Sequence, residues 1–231
     1  MSRHERPKPR SFVINNVLMG TDTMIRWNLD SAPAMTIPRP PEADTITVFD
    51  LEYTAWECSM ARHWLEPGQY KEVVQIGAVR LDGRTLEVLG EFDLLVKPRI
   101  NPVLSPYFEK LTGITNEEVA AKGVDFADAY GRFARFAEGG PIMAFGHDEW
   151  ILEENLRLYG ITEFPALPRF ADLRSWFAAC NVDPRGMLSC EIAPSLGLKV
   201  SGRAHNALDD ARSMAASMEE MVKRGAVRPA A

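Results

Sequence analysis

The spacing of hydrophobic and polar positions changes character at residue 45. Before it, Arg3, Arg6, Lys8 and Arg10 open a segment that closes on Pro38, Pro40 and Pro41, and proline at that density opposes both helix and sheet. Residues 1–44 are expected to be a partly ordered arm, packed on the surface or serving as a homodimer contact to a second copy of the chain. From Thr45 the pattern is regular. Thr45-Ile-Thr-Val-Phe-Asp-Leu-Glu52 predicts a largely apolar strand. Glu72-Val-Val-Gln-Ile-Gly-Ala-Val-Arg80 falls in a second strand over residues 71–81, and a third covers 86–97. The short turn Asp82-Gly83-Arg84 joins these two as an antiparallel hairpin. Helical periodicity then marks Ser105–Gly113 and Phe126–Ala137, a strand follows at Pro141–Phe145, and helices cover 148–159 and 205–223. Three strands first, then helices alternating with strands, predict an α/β fold with a mixed sheet flanked by helices.

Composition narrows this picture. A chain of 231 residues with 46% hydrophobic content fills one sizeable core, so a single domain is expected over 45–225, with 226–231 as a tail. The formal charge of −6 counts against gripping nucleic acid by bulk electrostatics. It leaves room for an enzyme whose metal ions supply the positive charge beside a phosphate. Cys58, Cys180 and Cys190 are odd in number, widely spaced and without histidines at ligand spacing. They indicate neither a disulfide framework nor a zinc module, and are read as packing residues in a reducing, cytoplasmic protein. No apolar run reaches the roughly 18 to 20 residues of a membrane helix, so no membrane partner is expected.

Candidate chemistry begins at Asp50 and Glu52. Residues i and i+2 of a strand face one side, so both carboxylates enter one small space, and two like charges held there need a cation. Asp148 heads a helical stripe continued by Leu152, Asn155, Leu156 and Tyr159. Glu149 lies about 100° around that wheel and stays as the alternative. In the last helix, Ala207, Leu208, Ala211, Met214, Ala215, Met218, Met221 and Val222 trace one apolar face. Asp209 points about 175° from its centre and Asp210 about 85°, so Asp210 is the one able to reach the sheet. His205 sits at or just before the start of this helix. Four carboxylates are hard ligands suited to Mg²⁺ or Mn²⁺, and a neutral histidine beside them can take a proton near pH 7.

At these residues the chain resembles the DEDDh-type (DnaQ-like) 3′→5′ exonucleases. Phe49-Asp50-Leu-Glu52 matches that family's first motif, and His205-Asn-Ala-Leu-Asp-Asp210 its last. Glu72-Val-Val-Gln-Ile-Gly-Ala-Val, Val96-Lys-Pro98 and the segment Leu104–Thr115 fall where similar text occurs. Glu52-Tyr-Thr54-Ala-Trp56-Glu57 and Gly202-Arg-Ala-His205 are similar to the branch holding the histone-mRNA and small-RNA 3′ exonucleases. The middle motif, Phe145-Gly-His147-Asp148-Glu-Trp, departs from the proofreading pattern and is one residue shorter than this branch's. The resemblance implies a ribonuclease H-like five-stranded mixed sheet whose first three strands are antiparallel. It implies two Mg²⁺ or Mn²⁺ ions held by Asp50, Glu52, Asp148 and Asp210, with His205 as general base. The implied reaction hydrolyses the 3′-terminal phosphodiester of single-stranded RNA, or of single-stranded DNA, to nucleoside 5′-monophosphates. Thr54 and Trp56 are then expected against the terminal nucleotide, the tryptophan stacking on a base. A DNA-specific exonuclease of repair or editing, and a nucleic-acid-binding module whose nuclease site has decayed, are the alternatives.

Overall fold

The computed structural model of the chain describes residues 43–199 and 201–225. The expected arm, apart from its last two residues, and the expected tail lie outside the described residues. Five strands form one sheet in the order β3-β2-β1-β4-β5. These are β1 (Thr45–Tyr53), β2 (Val73–Asp82), β3 (Val88–Leu95), β4 (Ile142–Ala144) and β5 (Phe170–Asp172). The first three are antiparallel neighbours, whereas β4 pairs parallel with β1 and β5 parallel with β4. The mixed sheet and its antiparallel first half agree with the sequence reading.

β1 is the central strand and is buried on both faces, from Ile46 through Glu52, as expected for a strand covered by helices on each side. Ile46 and Val48 pack on one face against α7 (Ala207–Lys223) and α5 (Leu173–Ala179), through Met214, Met218, Trp176 and Phe177. Phe49 and Leu51 pack on the other against α3 (Phe126–Phe136) and α4 (Asp148–Leu158), through Phe126, Phe133 and Leu152. Asp50 and Glu52 continue the alternation of Ile46 and Val48, so the side-chain period of two turns both acids toward the α7 face.

The helices begin where local chemistry satisfies their first amides. Ser105 caps α1 (Pro106–Thr112), which ends on Gly113 at φ 79°. α2 (Asn116–Lys122) is absent from the sequence reading, although Thr115 and Glu118 form a capping box that signals it. Asp125 caps α3, Asp172 caps α5 and Asn206 caps α7. The sequence reading also lacks β5, α5, a 3₁₀ turn at Ser189–Glu191 and α6 (Ile192–Ser195). All are short, and their order comes from packing rather than from periodicity.

Two buried polar side chains fix the parts of the sheet nearest the site. Asn155, fully buried on α4, accepts from the Val73 amide and donates to the Lys71 and Ile151 carbonyls, docking that helix on the start of β2. Glu72, also fully buried, accepts from the amides of Arg99, Ile100 and Asn101 and from the Tyr159 hydroxyl. Of the cysteines read as packing residues, Cys180 is buried and Cys190 half-buried, but Cys58 is exposed at φ 66°. That one correction follows from its place in the turn after Trp56, which turns its thiol to solvent. No helix among the described residues is long and apolar enough to cross a membrane.

Candidate active site

β1 runs farther than the three-residue β4 beside it, which pairs only with Thr47 and Val48. Beyond Val48 the edge of β1 is open on that side, and the Leu51 amide faces the carboxylate of Asp148, the first residue of α4, where it offsets part of the rise in that acid's pKa. A short neighbour strand thus lets the head of α4 place an acid beside Asp50 and Glu52. On the other side, Gly77 of β2 stands opposite Asp50. A Cβ at Gly77 would lie 2.1 Å from the Leu208 amide nitrogen, so only glycine lets α7 cross the sheet this closely. Gln75, opposite Glu52, accepts from the Ala207 amide and pins the first turn of α7. That turn delivers Asp210, which is 3% exposed, while Asp209 is half-buried outside the cluster.

His205 precedes the helix at φ 61°. Its amide donates to Asp210, and the loop that carries it is tied at several points. Gly202, at φ 104°, passes so close to Asp209 that a Cβ would lie 2.3 Å from its carboxyl carbon. The Arg203 amide donates to that same carboxylate, and the Arg203 guanidinium reaches the Lys110 and Leu111 carbonyls at the end of α1. Asp209 also pairs with Arg212, which in turn pairs with Glu91 of β3. The acid that the helical wheel set aside therefore has a structural task of its own.

The ligand atoms of Glu52, His205 and Asp210 lie within 4.8 Å of one another. Asp50, Glu52, Asp148, Asp210 and His205 all line one cleft of about 290 Å³. Burial, followed by the charges of Asp148, Glu52 and Asp210, raises Asp50 well above the usual carboxylate range. Burial and the neighbouring Asp210 and Asp148 do the same to Glu52. Asp148 and Asp210 are each pushed up to about 7, chiefly by burial, with Glu149 adding to the first and Asp209 to the second. Four carboxylates that all favour the protonated form, gathered in one cleft, are a donor set short of positive charge. This set fits a divalent cation, whose charge stabilises the ionised form. His205 moves the other way: burial first and the Arg203 charge second lower its pKa.

Glu149, the alternative to Asp148, does not line this cleft. It faces His147, whose Nδ1 is 3.6 Å from its carboxylate. Trp56 lines the cleft, with Tyr107 and Leu188 also at its wall. Thr54 is 2% exposed, donates its hydroxyl to the Tyr70 carbonyl and accepts from the Glu72 amide. The expectation that Thr54 meets a nucleotide has no free hydroxyl to carry it, because that group joins β1 to the approach to β2. Two cleft residues had no sequence signal. The Ser189 hydroxyl lies in the cleft beside Asp50 and Asp210 and offsets part of the rise in their pKa values, and Arg174 brings a guanidinium to the Asp148 side.

This sheet, with four carboxylates and a histidine gathered at the end of its central strand, defines a DEDDh-type exonuclease domain. The chain belongs to the exonuclease (RNase_T) family, whose model matches residues 47–218. Human ERI1 exoribonuclease 2 is 25% identical over 210 residues, covering 80% of this chain and 29% of that protein. Mouse ERI1 exoribonuclease 3 is 24% identical over 235 residues, covering 90% and 62%. The chain therefore spans less than two thirds of either relative. Among solved structures, the nuclease domain of 3′hExo, a DEDDh family member bound to rAMP, superposes with a TM-score of 0.67 at 23% identity, covering 83% of this chain and 98% of that one. E. coli exonuclease I in complex with a dA16 oligonucleotide gives a TM-score of 0.61 at 20% identity, covering 78% and 41%. The ribonuclease H-like architecture expected from the resemblance is the one these neighbours share.

Proposed function

We propose that this chain is a metal-dependent 3′→5′ exonuclease that releases nucleoside 5′-monophosphates from the 3′ end of single-stranded RNA. The observation that carries the reading is the convergence of Glu52, His205 and Asp210 within 4.8 Å beside the buried Asp50. Asp50, Glu52, Asp148 and Asp210 would hold two Mg²⁺ or Mn²⁺ ions. When bound, such ions lower the pKa of the attacking water and offset the charge that develops on the phosphate.

The remaining steps belong to the chain's own groups. His205, its pKa lowered, is neutral at pH 7, and one imidazole nitrogen accepts the proton of the attacking water. The new P–O bond forms at the terminal phosphate, the bond to the preceding 3′-oxygen breaks, and that oxygen leaves with a proton taken from solvent water, while His205 returns its own proton to solvent. The hydrogen bond that the His205 backbone amide donates to the Asp210 carboxylate ties the loop carrying the base to a ligand of the proposed ions. The apolar wall at Trp56 offers a stacking face to the terminal base, with no requirement for its identity.

The exoribonuclease relatives support RNA as substrate. Single-stranded DNA is the second reading, favoured by the shared fold of an exonuclease bound to dA16. The presence of all five side chains speaks against a decayed module. The test is 5′-labelled single-stranded RNA, single-stranded DNA and duplexes incubated with Mg²⁺, Mn²⁺ or EDTA, beside Asp50→Ala and His205→Ala. The expected result is a ladder growing from the 3′ end with Mg²⁺ or Mn²⁺, lost with EDTA and in Asp50→Ala, and slowed at least about a hundredfold in His205→Ala. No cleavage under either metal, or full activity in His205→Ala, would overturn the reading.

A further inference from the structure

Arg174 is the only lysine or arginine among the described residues that line the carboxylate cleft. It stands in the first turn of α5, directly after the short strand β5. Asp172 caps that helix by accepting the Arg174 amide at 2.9 Å and also accepts the Gly146 amide at 3.2 Å. The Arg174 side chain folds back onto the same carboxylate, with Nε at 3.1 Å and Nη2 at 2.9 Å from Oδ2. One edge of the guanidinium is thereby fixed, and Nη1 has no hydrogen-bond partner among the described residues. A Cβ at Gly146 would sit 3.7 Å from the guanidinium carbon, so the group lies beside the chain that leads into Asp148. The side chain is 39% exposed, open to a ligand in the cleft.

We infer that Arg174 binds the backbone phosphate one nucleotide 5′ of the scissile bond and so helps hold the strand in register for cleavage. The inference rests on the exonuclease reading. The scissile phosphate belongs at the four carboxylates and their ions, whereas Arg174 stands on their Asp148 flank. A strand leaving that centre must carry its next phosphate past one flank, and a guanidinium with a free edge is the side chain best shaped to receive it. A partner for Asp172 alone has no need to face this cleft. A carboxylate-lined cleft also repels every phosphate that lacks a cation.

The test compares the parent chain, Arg174→Ala and Arg174→Lys on two substrates. One is a short single-stranded RNA, and the other is the p-nitrophenyl ester of thymidine 5′-monophosphate, which carries only the scissile phosphate. For Arg174→Ala the expected KM on RNA rises roughly tenfold, with an intermediate value for Arg174→Lys. Ester hydrolysis falls far less than RNA cleavage, because the ester has no second phosphate for Arg174 to bind, and the salt dependence of RNA binding loses a slope of about 0.7. Fluorescence anisotropy of labelled RNA with Mg²⁺, in a His205→Ala background, is expected to show the same roughly tenfold loss without cleavage. Equal losses on RNA and ester would mean that Arg174 acts on the acid cluster and would overturn the inference. So would unchanged anisotropy and an unchanged salt slope. A parent chain that binds RNA through Arg174 yet cleaves neither substrate would instead overturn the exonuclease reading and leave the phosphate contact standing.

Discussion

His205 holds a backbone conformation that L-residues with a side chain rarely adopt, at φ 61°. Histidine tolerates the left-handed region better than most residues, but the position still carries strain. The protein accepts it because an extended residue there would carry the imidazole away from Glu52 and Asp210, whose ligand atoms it approaches within 4.8 Å. Replacing the imidazole therefore separates two effects. His205→Gly and His205→Ala both lose the base and should be equally slow, but His205→Gly relieves the backbone. It should be more stable than His205→Ala by on the order of 1 kcal/mol in urea unfolding. Equal stability of the two would mean that the positive φ is not maintained in solution.

α7 is the element on which the site depends, because it carries Asp210 and is anchored to the sheet by contacts that the helix alone does not explain. Gly77 supplies the close crossing and Gln75 the hydrogen bond to the first turn. Gly77→Ala would drive a methyl group against the Leu208 and Ala207 backbone, which yields less readily than a side chain. The expected cost is about 3 kcal/mol or more, with a fall in kcat in whatever fraction stays folded, since Asp210 and His205 move with the helix. Gly90→Ala is the control, its nearest neighbour being a Phe136 ring atom at 3.8 Å. It should change stability by less than about 1 kcal/mol. Thermal unfolding of both variants checks the contrast, and a mild Gly77→Ala would show that α7 has room to shift.

For the molecule as a whole, the acid cluster is a cost until a cation arrives. Asp148 and Asp210 each titrate at about 7 in the folded protein, above the ordinary 3.8. Their contribution to stability is therefore complete below about 3.8 and is lost as pH rises through about 7, where the folded protein must hold buried charge. A divalent ion binds the ionised form and competes with those protons. Millimolar Mg²⁺ should raise Tm far more near pH 8 than near pH 5.5, and EDTA should abolish the gain. Once the free ion exceeds its Kd about a hundredfold, the stabilisation is about 2.7 kcal/mol. Calorimetric scans at both pH values with Mg²⁺ or EDTA decide this, and a shift equal at the two pH values would exclude the carboxylates as the ion's ligands.

What the sequence determined by itself is whatever local period and composition encode. The apolar run into Asp50 and Glu52 is legible because a strand's period of two puts both acids on one face. The α7 stripe is legible because a helix's period of 3.6 separates Asp210 from Asp209. The hairpin turn, the prolines of the arm and the ordered motifs are local in the same sense. Only the tertiary structure decided that Asp148 rather than Glu149 enters the cleft, because that depends on the Leu51 amide left open by a short β4. It likewise decided that the Thr54 hydroxyl is consumed by the Tyr70 carbonyl and the Glu72 amide, and that Ser189 and Arg174 reach the acids from elements with no clear period. The physical reason is that periodicity fixes which face a side chain takes on its own element, whereas its partner across space is set by how closely the elements approach. In this protein, the absence of a Cβ at Gly77 sets that approach for α7.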